Sequence, residues 1–332
     1  MTDRLTLRIL KECARNPLNP GAWWNYLRYL VRIGADRRKT EQDRLSYGPV
    51  SVTLWLTSRC NLSCAFCHYD GELGGSGAPD RDLSFEKFEE IYRSTPEFRT
   101  ALRFALYGGE PLLHPQWDRF VSFLKERGHI VSINTNGIHL ERNLQKLKSV
   151  RPHFLSVSLY RENRGILERQ LPGISRILPV RLSFLHAPPD LGGEGTLDAA
   201  FELARTCGVE RLAIDEWSSN GRDAEVARGE GSLREVRARR GGRPGGRFGV
   251  EWALAGPDSG PTRCRFFWNS MFCDEQGRFS PCSYWRRSTH EKVDGGFWNG
   301  GRMLDLRNAM ACGNPPEACQ GCPALRADIS GI

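Results

Sequence analysis

From residue 50 to about 216, apolar runs alternate with stretches of helical period. Strands are predicted at 50–56, 101–107, 130–134, 154–159, 180–185 and 211–214, and helices at 84–93, 115–127, 138–149, 162–177 with a break at Pro172, and 196–207. Alternation of this kind predicts an α/β fold, a parallel sheet with right-handed crossovers that is open or curled into a partial (β/α)6 barrel. Sites in such folds gather where strands end and the loops to the next helix begin.

The flanks read differently. In 1–49, Asn19 predicts an N-cap, Pro20 a first turn and Gly34 a stop, around the aromatic stripe of Trp23, Trp24, Tyr26 and Tyr29. An amphipathic face of this kind is expected to cover an end or side of the main domain. After Trp217 glycine and proline become frequent, and 220–249 reads as a loop with one short helix at 233–239. The expected organisation is a helical extension (1–49), a core (50–216), a linker with a short helix and a strand (217–263) and a small cysteine-rich domain (264–332). So small a segment buries little core, and a metal cross-link would hold it together.

Composition narrows the class. The chain has 332 residues, 39% hydrophobic and 26% charged, as expected of a globular protein larger than one core. No apolar stretch approaches the roughly 18–20 residues that span a bilayer, and charges interrupt the N-terminus, so the expected place is the cytoplasm, without membrane partners. The net charge of +8 is spread as arginines with acids interleaved, which argues against nucleic acid. Its densest patch, 234–247, is glycine-rich and reads as a solvated loop.

The 11 cysteines are too sparse for a disulfide scaffold, and clustered thiols in a reducing compartment read as metal ligands. Cys60, Cys64 and Cys67 follow the first strand directly. Their spacing suits one loop folding three thiolates onto one face of a four-iron cube, leaving one iron open. Zinc is the alternative, with His68 as fourth ligand, although His68 beside Cys67 would need a strained loop. Cys13 and Cys207 stand alone and read as small buried hydrophobes.

The three-cysteine motif, with Phe66 at its aromatic position, resembles that of the radical S-adenosylmethionine (SAM) superfamily. After the second strand, Gly108-Gly109-Glu110-Pro111 is similar to that family's segment for the methionine amino group of SAM. Two glycines permit close backbone approach, and Glu110 can accept from an ammonium. Asn134, in Asn-Thr-Asn-Gly, and Ser156 and Ser158 fall where the family binds the cofactor, although Tyr160-Arg161 replaces the usual Asp-Gly. Arg181, at the start of strand five, is a candidate partner for a carboxylate.

Cys264, then Gly277, Cys282, Cys319 and Cys322 resemble the auxiliary-cluster region called SPASM or twitch. The match implies one auxiliary four-iron cluster on Cys264, Cys282, Cys319 and Cys322, with zinc in the same thiolates as the alternative. Cys273 and Cys312 remain as alternative ligands, core residues or hydrogen donors to a substrate radical.

The resemblance implies reductive SAM cleavage to a 5′-deoxyadenosyl radical, with electrons from a flavodoxin- or ferredoxin-type donor. The expected substrate is a small molecule (a sugar, aminocyclitol or nucleotide-linked intermediate), because the 49 leading residues are short for a peptide-leader domain. The expected outcome is oxidation, epimerisation or carbon–carbon bond formation. A peptide maturase and a non-catalytic metal module binding nucleic acid are the alternatives.

Overall fold

A computed structural model describes residues 19–35, 44–64, 67, 81–186, 197–216, 248–253, 264, 266–282, 285 and 296–319. Phe66, His68, Cys322 and the helix expected at 233–239 lie outside the described residues. In chain order the elements are α1 (Pro20–Ala35), β1 (Ser51–Trp55), α2 (Phe85–Ser94), α3 (Pro96–Thr100), β2 (Arg103–Tyr107), α4 (Trp117–Glu126), β3 (Ile130–Thr135), α5 (Leu144–Val150), β4 (Phe154–Leu159), α6 (Arg164–Ser175) and β5 (Val180–His186). They continue as α7 (Leu197–Thr206), β6 (Arg211–Glu216), β7 (Gly249–Ala253), α8 (Phe266–Asn269), β8 (Ser270–Cys273), β9 (Phe279–Ser280) and α9 (Gly301–Ala311).

Two compact units result, one of Met1–Asn61, Gly74–Ser132 and Arg263–Gln320, the other of Leu62–Leu73, Ile133–Thr262 and Gly321–Ile332. Residues 264–319 are built into the first unit. The reason is strand pairing. β1 pairs in parallel with β2 on one side and with β8 on the other, Leu54 facing Leu106 and Cys273, and β9 returns antiparallel along β8. The architecture is α/β with parallel strands in an open sheet, as the alternating pattern predicts.

In the first unit the core is aromatic. Phe85, Phe88, Tyr92, Phe98, Phe104, Phe120 and Phe123 meet mostly edge to face, and Phe88, Phe98, Phe104 and Phe120 are fully buried. Each such ring contributes about 1.5–3 kcal/mol relative to exposure. Ser84 caps α2 by accepting from the Lys87 amide. The N-terminal helix covers an end, as expected: Ala22 and Tyr26 pack on Val50, Leu102 and Ile130, residues at or just ahead of the starts of β1, β2 and β3. Asn19 accepts from the Ala22 amide and donates to the Arg99 and Arg127 carbonyls, so the cap is also a tether. The helix runs past Gly34 to Ala35.

In the second unit β4, β5, β6 and β7 pair in parallel, in that order. Val157, Leu182, Leu212 and Ile214 are buried on one face, while Ser158, Arg181, Ser183, Arg211, Asp215 and Glu251 keep partial exposure on the other. The break expected at Pro172 does not occur. Buried Leu167, Leu171 and Ile174 keep α6 continuous through it, so packing outweighs the roughly 3 kcal/mol an interior proline costs.

One buried polar pair sets an acid limit. His129 is fully buried, its Nδ1–H donating to the Ala101 carbonyl at 2.7 Å and its Nε2 accepting from the Tyr92 hydroxyl at 2.7 Å. Burial pushes its pKa down to about 4, from an ordinary 6.5. Because the folded pKa is depressed, stability is complete above about pH 6.5 and falls as pH drops towards 4, by up to about 3 kcal/mol. Urea unfolding across that window is expected to show this acid slope in the wild type and a shallower one in His129→Gln.

Candidate functional site

The segment leading into the first cysteine is held on both sides. On one side, the Leu83 amide donates to the Leu56 carbonyl, the Ser58 amide to the Arg81 carbonyl, and the Arg81 amide to Ser58 Oγ, each at 2.8 Å. On the other, the Leu56 amide donates to the Tyr107 carbonyl, and the Gly109 and Glu110 amides to the Thr57 and Arg59 carbonyls at 2.8 and 2.7 Å. Residues 56–59 are therefore the middle strand of a short three-chain clamp, and Cys60 leaves it exposed.

Arg59 locks the clamp. It pairs with Asp82 at 2.6 Å and donates to the Leu113 carbonyl at 3.2 Å, so one side chain ties both flanking segments. Sequence reasoning passed over both residues. Arg59 adjoins Cys60, which is a signal of sorts, but nothing marks Asp82 as its partner. His114 stands behind the same turn, its Nε2–H donating to the Leu83 carbonyl and its Nδ1 accepting from the Gln116 amide. Burial lowers its pKa, so the neutral imidazole is the form this geometry holds.

The glycines after β2 serve this packing first. Gly108 has φ +141°, and a Cβ there would lie 2.4 Å from the Thr57 carbonyl oxygen. At Gly109 a Cβ would lie 2.2 Å from that of Arg59. Glu110, the candidate acceptor for an ammonium, follows them in the same segment. It is fully buried and its carboxylate accepts from the Leu112 amide at 3.0 Å, capping the turn that Pro111 begins.

In the second unit the Cys67 amide donates to the Cys64 carbonyl at 2.9 Å, closing a tight turn that leaves both thiols half-buried. Two further loops are stapled by Asn163, which is fully buried: its Nδ2 donates to the carbonyls of Asn136 and Ser158, and its Oδ1 accepts from the Tyr160 amide. Its only mark in the sequence is an asparagine four residues past the strand. Gly137, at φ +78°, lets the Asn-Gly turn pass under Leu167 and Val157. On β3 itself, Asn134 presents a buried Nδ2 with no hydrogen-bond partner, a donor still to be used.

Arg181 and Ser156 have partners within the sheet. Both lie at the starts of their strands: Arg181 pairs with Glu251 at 2.9 Å, which also accepts from Arg211, and Ser156 is buried and accepts from Arg181. Ser158, two residues on towards the strand end, keeps partial exposure. Cys273 is fully buried, with its thiol directed at the Asp274 carbonyl, and burial raises its pKa well above the ordinary value. Such burial suits the core-residue reading of Cys273. Cys312 is exposed at the end of α9.

Three thiols following β1, exposed at Cys60 and half-buried at Cys64 and Cys67, are the donor set a four-iron cluster takes. Among the described residues no three cysteine, histidine or carboxylate side chains are gathered as a metal site.

Residues 56–164 match the model of the Radical SAM superfamily. A probable GTP 3′,8-cyclase of Methanococcus maripaludis is 34% identical over 119 residues, 36% of this chain and 39% of that protein. Another, of Sulfurisphaera tokodaii, is 29% identical over 189 residues, 52% and 58% of the two chains. The matches thus span under two thirds of these relatives' length. Among solved structures, Streptococcus suis SuiB bound to the precursor peptide SuiA superposes with a TM-score of 0.58 at 14% identity, over 91% of this chain and 74% of that one.

Gly109→Ala is expected to destabilise the chain by about 2–3 kcal/mol, since the methyl meets backbone that is itself clamped. Gly173→Ala, within α6 with nothing within 4 Å, is expected to be neutral or to gain up to about 1 kcal/mol. Urea denaturation of the two variants checks both signs. The order of motifs after β1, β2 and β3, and the match that contains them, identify residues 56–164 as a radical SAM domain.

Proposed function

We propose that this protein is a radical SAM enzyme that removes a hydrogen atom from a small-molecule substrate, and that it holds a second, auxiliary four-iron cluster. The observation that carries the reading is the clamped segment 56–59, which delivers Cys60 from one rigid end and has the Gly-Gly-Glu turn hydrogen-bonded along its flank. Cys60, Cys64 and Cys67 would hold the first cluster through three irons. When bound, cluster and SAM together supply a 5′-deoxyadenosyl radical by one-electron cleavage of a carbon–sulfur bond.

The chain's own residues then bind and orient. The Gly108-Gly109 backbone, the open amide of Asn134 and the hydroxyl of Ser158 are the groups we assign to SAM. Glu110 holds the turn in shape from behind. Cys264, Cys282, Cys319 and Cys322 would hold the auxiliary cluster, whose use would be to accept an electron after hydrogen removal. A nucleotide- or sugar-linked substrate is supported by the relatives named as GTP cyclases. A peptide substrate is the second reading, supported by likeness of fold to a structure with a bound precursor peptide.

After anaerobic reconstitution, about eight irons per chain are expected, falling to about four when Cys60, Cys64 and Cys67 are replaced by alanine. Deoxyadenosine release from SAM with a strong reductant is expected only with those three thiols present. Zinc in place of iron, or no cleavage, would sink the proposal. Deuterated nucleotide sugars and deuterated peptides, offered in parallel, are expected to pass label to deoxyadenosine only from the first class.

A further inference from the structure

The C-terminal strands bring two cysteine-bearing turns to one end of β8. Cys264 is buried just ahead of α8, which leads into β8. Gly277, at φ +78°, closes the turn after β8 with its amide donating to the Asp274 carbonyl at 2.9 Å. β9 then runs back towards the start of β8, so Cys282, two residues past β9, arrives where the chain of Cys264 entered. The rings of Phe267 and Trp285, each three residues beyond a cysteine, meet at 6.2 Å and confirm that the two turns are neighbours.

Against the same turn lies a charge without a counter-charge. Arg307, on α9, is 1% exposed. Its Nε donates to the Phe267 carbonyl at 2.8 Å, its Nη1 to Asn299 Oδ1 at 3.3 Å, and its guanidinium lies 4.5 Å from the Trp298 ring. Its Nη2 is buried with no hydrogen-bond partner, and among the described residues no carboxylate pairs with it. Burial lowers its pKa only to about 10, so the group is a cation at neutral pH. A buried cation left without an anion is costly, and this one retains a free donor. The Phe267 carbonyl it binds lies three residues after Cys264, so the chain brings a cluster ligand to the same turn. A four-iron cluster on four thiolates is negatively charged, and becomes more so on reduction.

We infer that Arg307 is the counter-cation of the auxiliary cluster, its unused Nη2 donating to a cluster sulfur and its charge raising the cluster's reduction potential. The inference rests on the auxiliary cluster proposed above. Arg307 is a positioning residue, not a catalytic one: it favours the reduced cluster, and so favours electron acceptance. A structural guanidinium that merely bridges Phe267 and Asn299 would leave the potential where it was.

The test uses the full chain with Cys60, Cys64 and Cys67 replaced by alanine, reconstituted anaerobically, so that only the auxiliary cluster remains. Redox titration followed by electron paramagnetic resonance is expected to give a lower midpoint for Arg307→Gln, by a tenfold or greater change in the one-electron equilibrium, about 59 mV. Arg307→Lys, which keeps the charge but loses the fork, is expected to fall between the two. Iron retained with an unmoved midpoint overturns the role of Arg307 alone, whereas a chain without iron overturns the auxiliary cluster and this inference together. Should Arg307→Gln not fold, the parent chain labelled with guanidino-15N arginine decides. A 15N hyperfine coupling at the reduced cluster, lost in Arg307→Lys, supports the contact, and absence of coupling in the parent overturns it.

Discussion

The site depends on one set of backbone hydrogen bonds, those that fix residues 56–59 between 81–83 and 107–110. A loop of thiols cannot by itself choose a conformation, because side chains that await a metal have nothing to pack against. What can be fixed beforehand is the point from which the loop departs. Here both edges of that point are hydrogen-bonded, and Arg59 fastens them with an ion pair and a carbonyl contact. Glycine at 108 and 109 is what lets the third chain come so close. The two glycines and the first cysteine, some fifty residues apart, are thus parts of one packing arrangement.

The two ends of the strands have different jobs, and the burial pattern separates them. At the starts, α1 and Asn19 close the first unit, and Arg181, Glu251 and Arg211 bind the bases of β5, β6 and β7 in the second. Glu251 accepts from both arginines there. At the far ends lie an unused amide on Asn134 and partly exposed Ser158. Self-satisfied polar groups read as scaffold, and unsatisfied ones read as places kept for a ligand.

Much of this was legible in the sequence, and the exceptions share a cause. Apolar runs located β1 to β6 within a residue or two, because burial on one face leaves a direct mark on composition. The Cys60, Cys64 and Cys67 spacing stood out because metal geometry acts through nearby residues. The partners of Gly109, Glu110 and Arg181 were not legible, because the Thr57 and Arg59 carbonyls and Glu251 lie far along the chain. Asn163 and Arg307 were missed for the same reason. Pro172 was read as a break because its local cost is visible while the packing of Leu167, Leu171 and Ile174 that outweighs it is not. Gly277 shows the reverse: a spacing noted only as part of a cysteine pattern has a mechanical origin, the left-handed turn that sends β9 back.

Pairing of β8 with β1 also orders events during synthesis. One edge of β1 has no neighbour until residues 270–273 have been made, and the chain just ahead of it, at Leu45 and Tyr47, is pinned by Trp298 and Asn299. On the ribosome the first strand must therefore wait for more than two hundred further residues before its sheet is complete. A nascent chain in that state exposes an unpaired apolar edge and favours a slow, late closure over stepwise folding from the front. Iron delivered before that closure would meet thiols that follow a strand paired along one edge only.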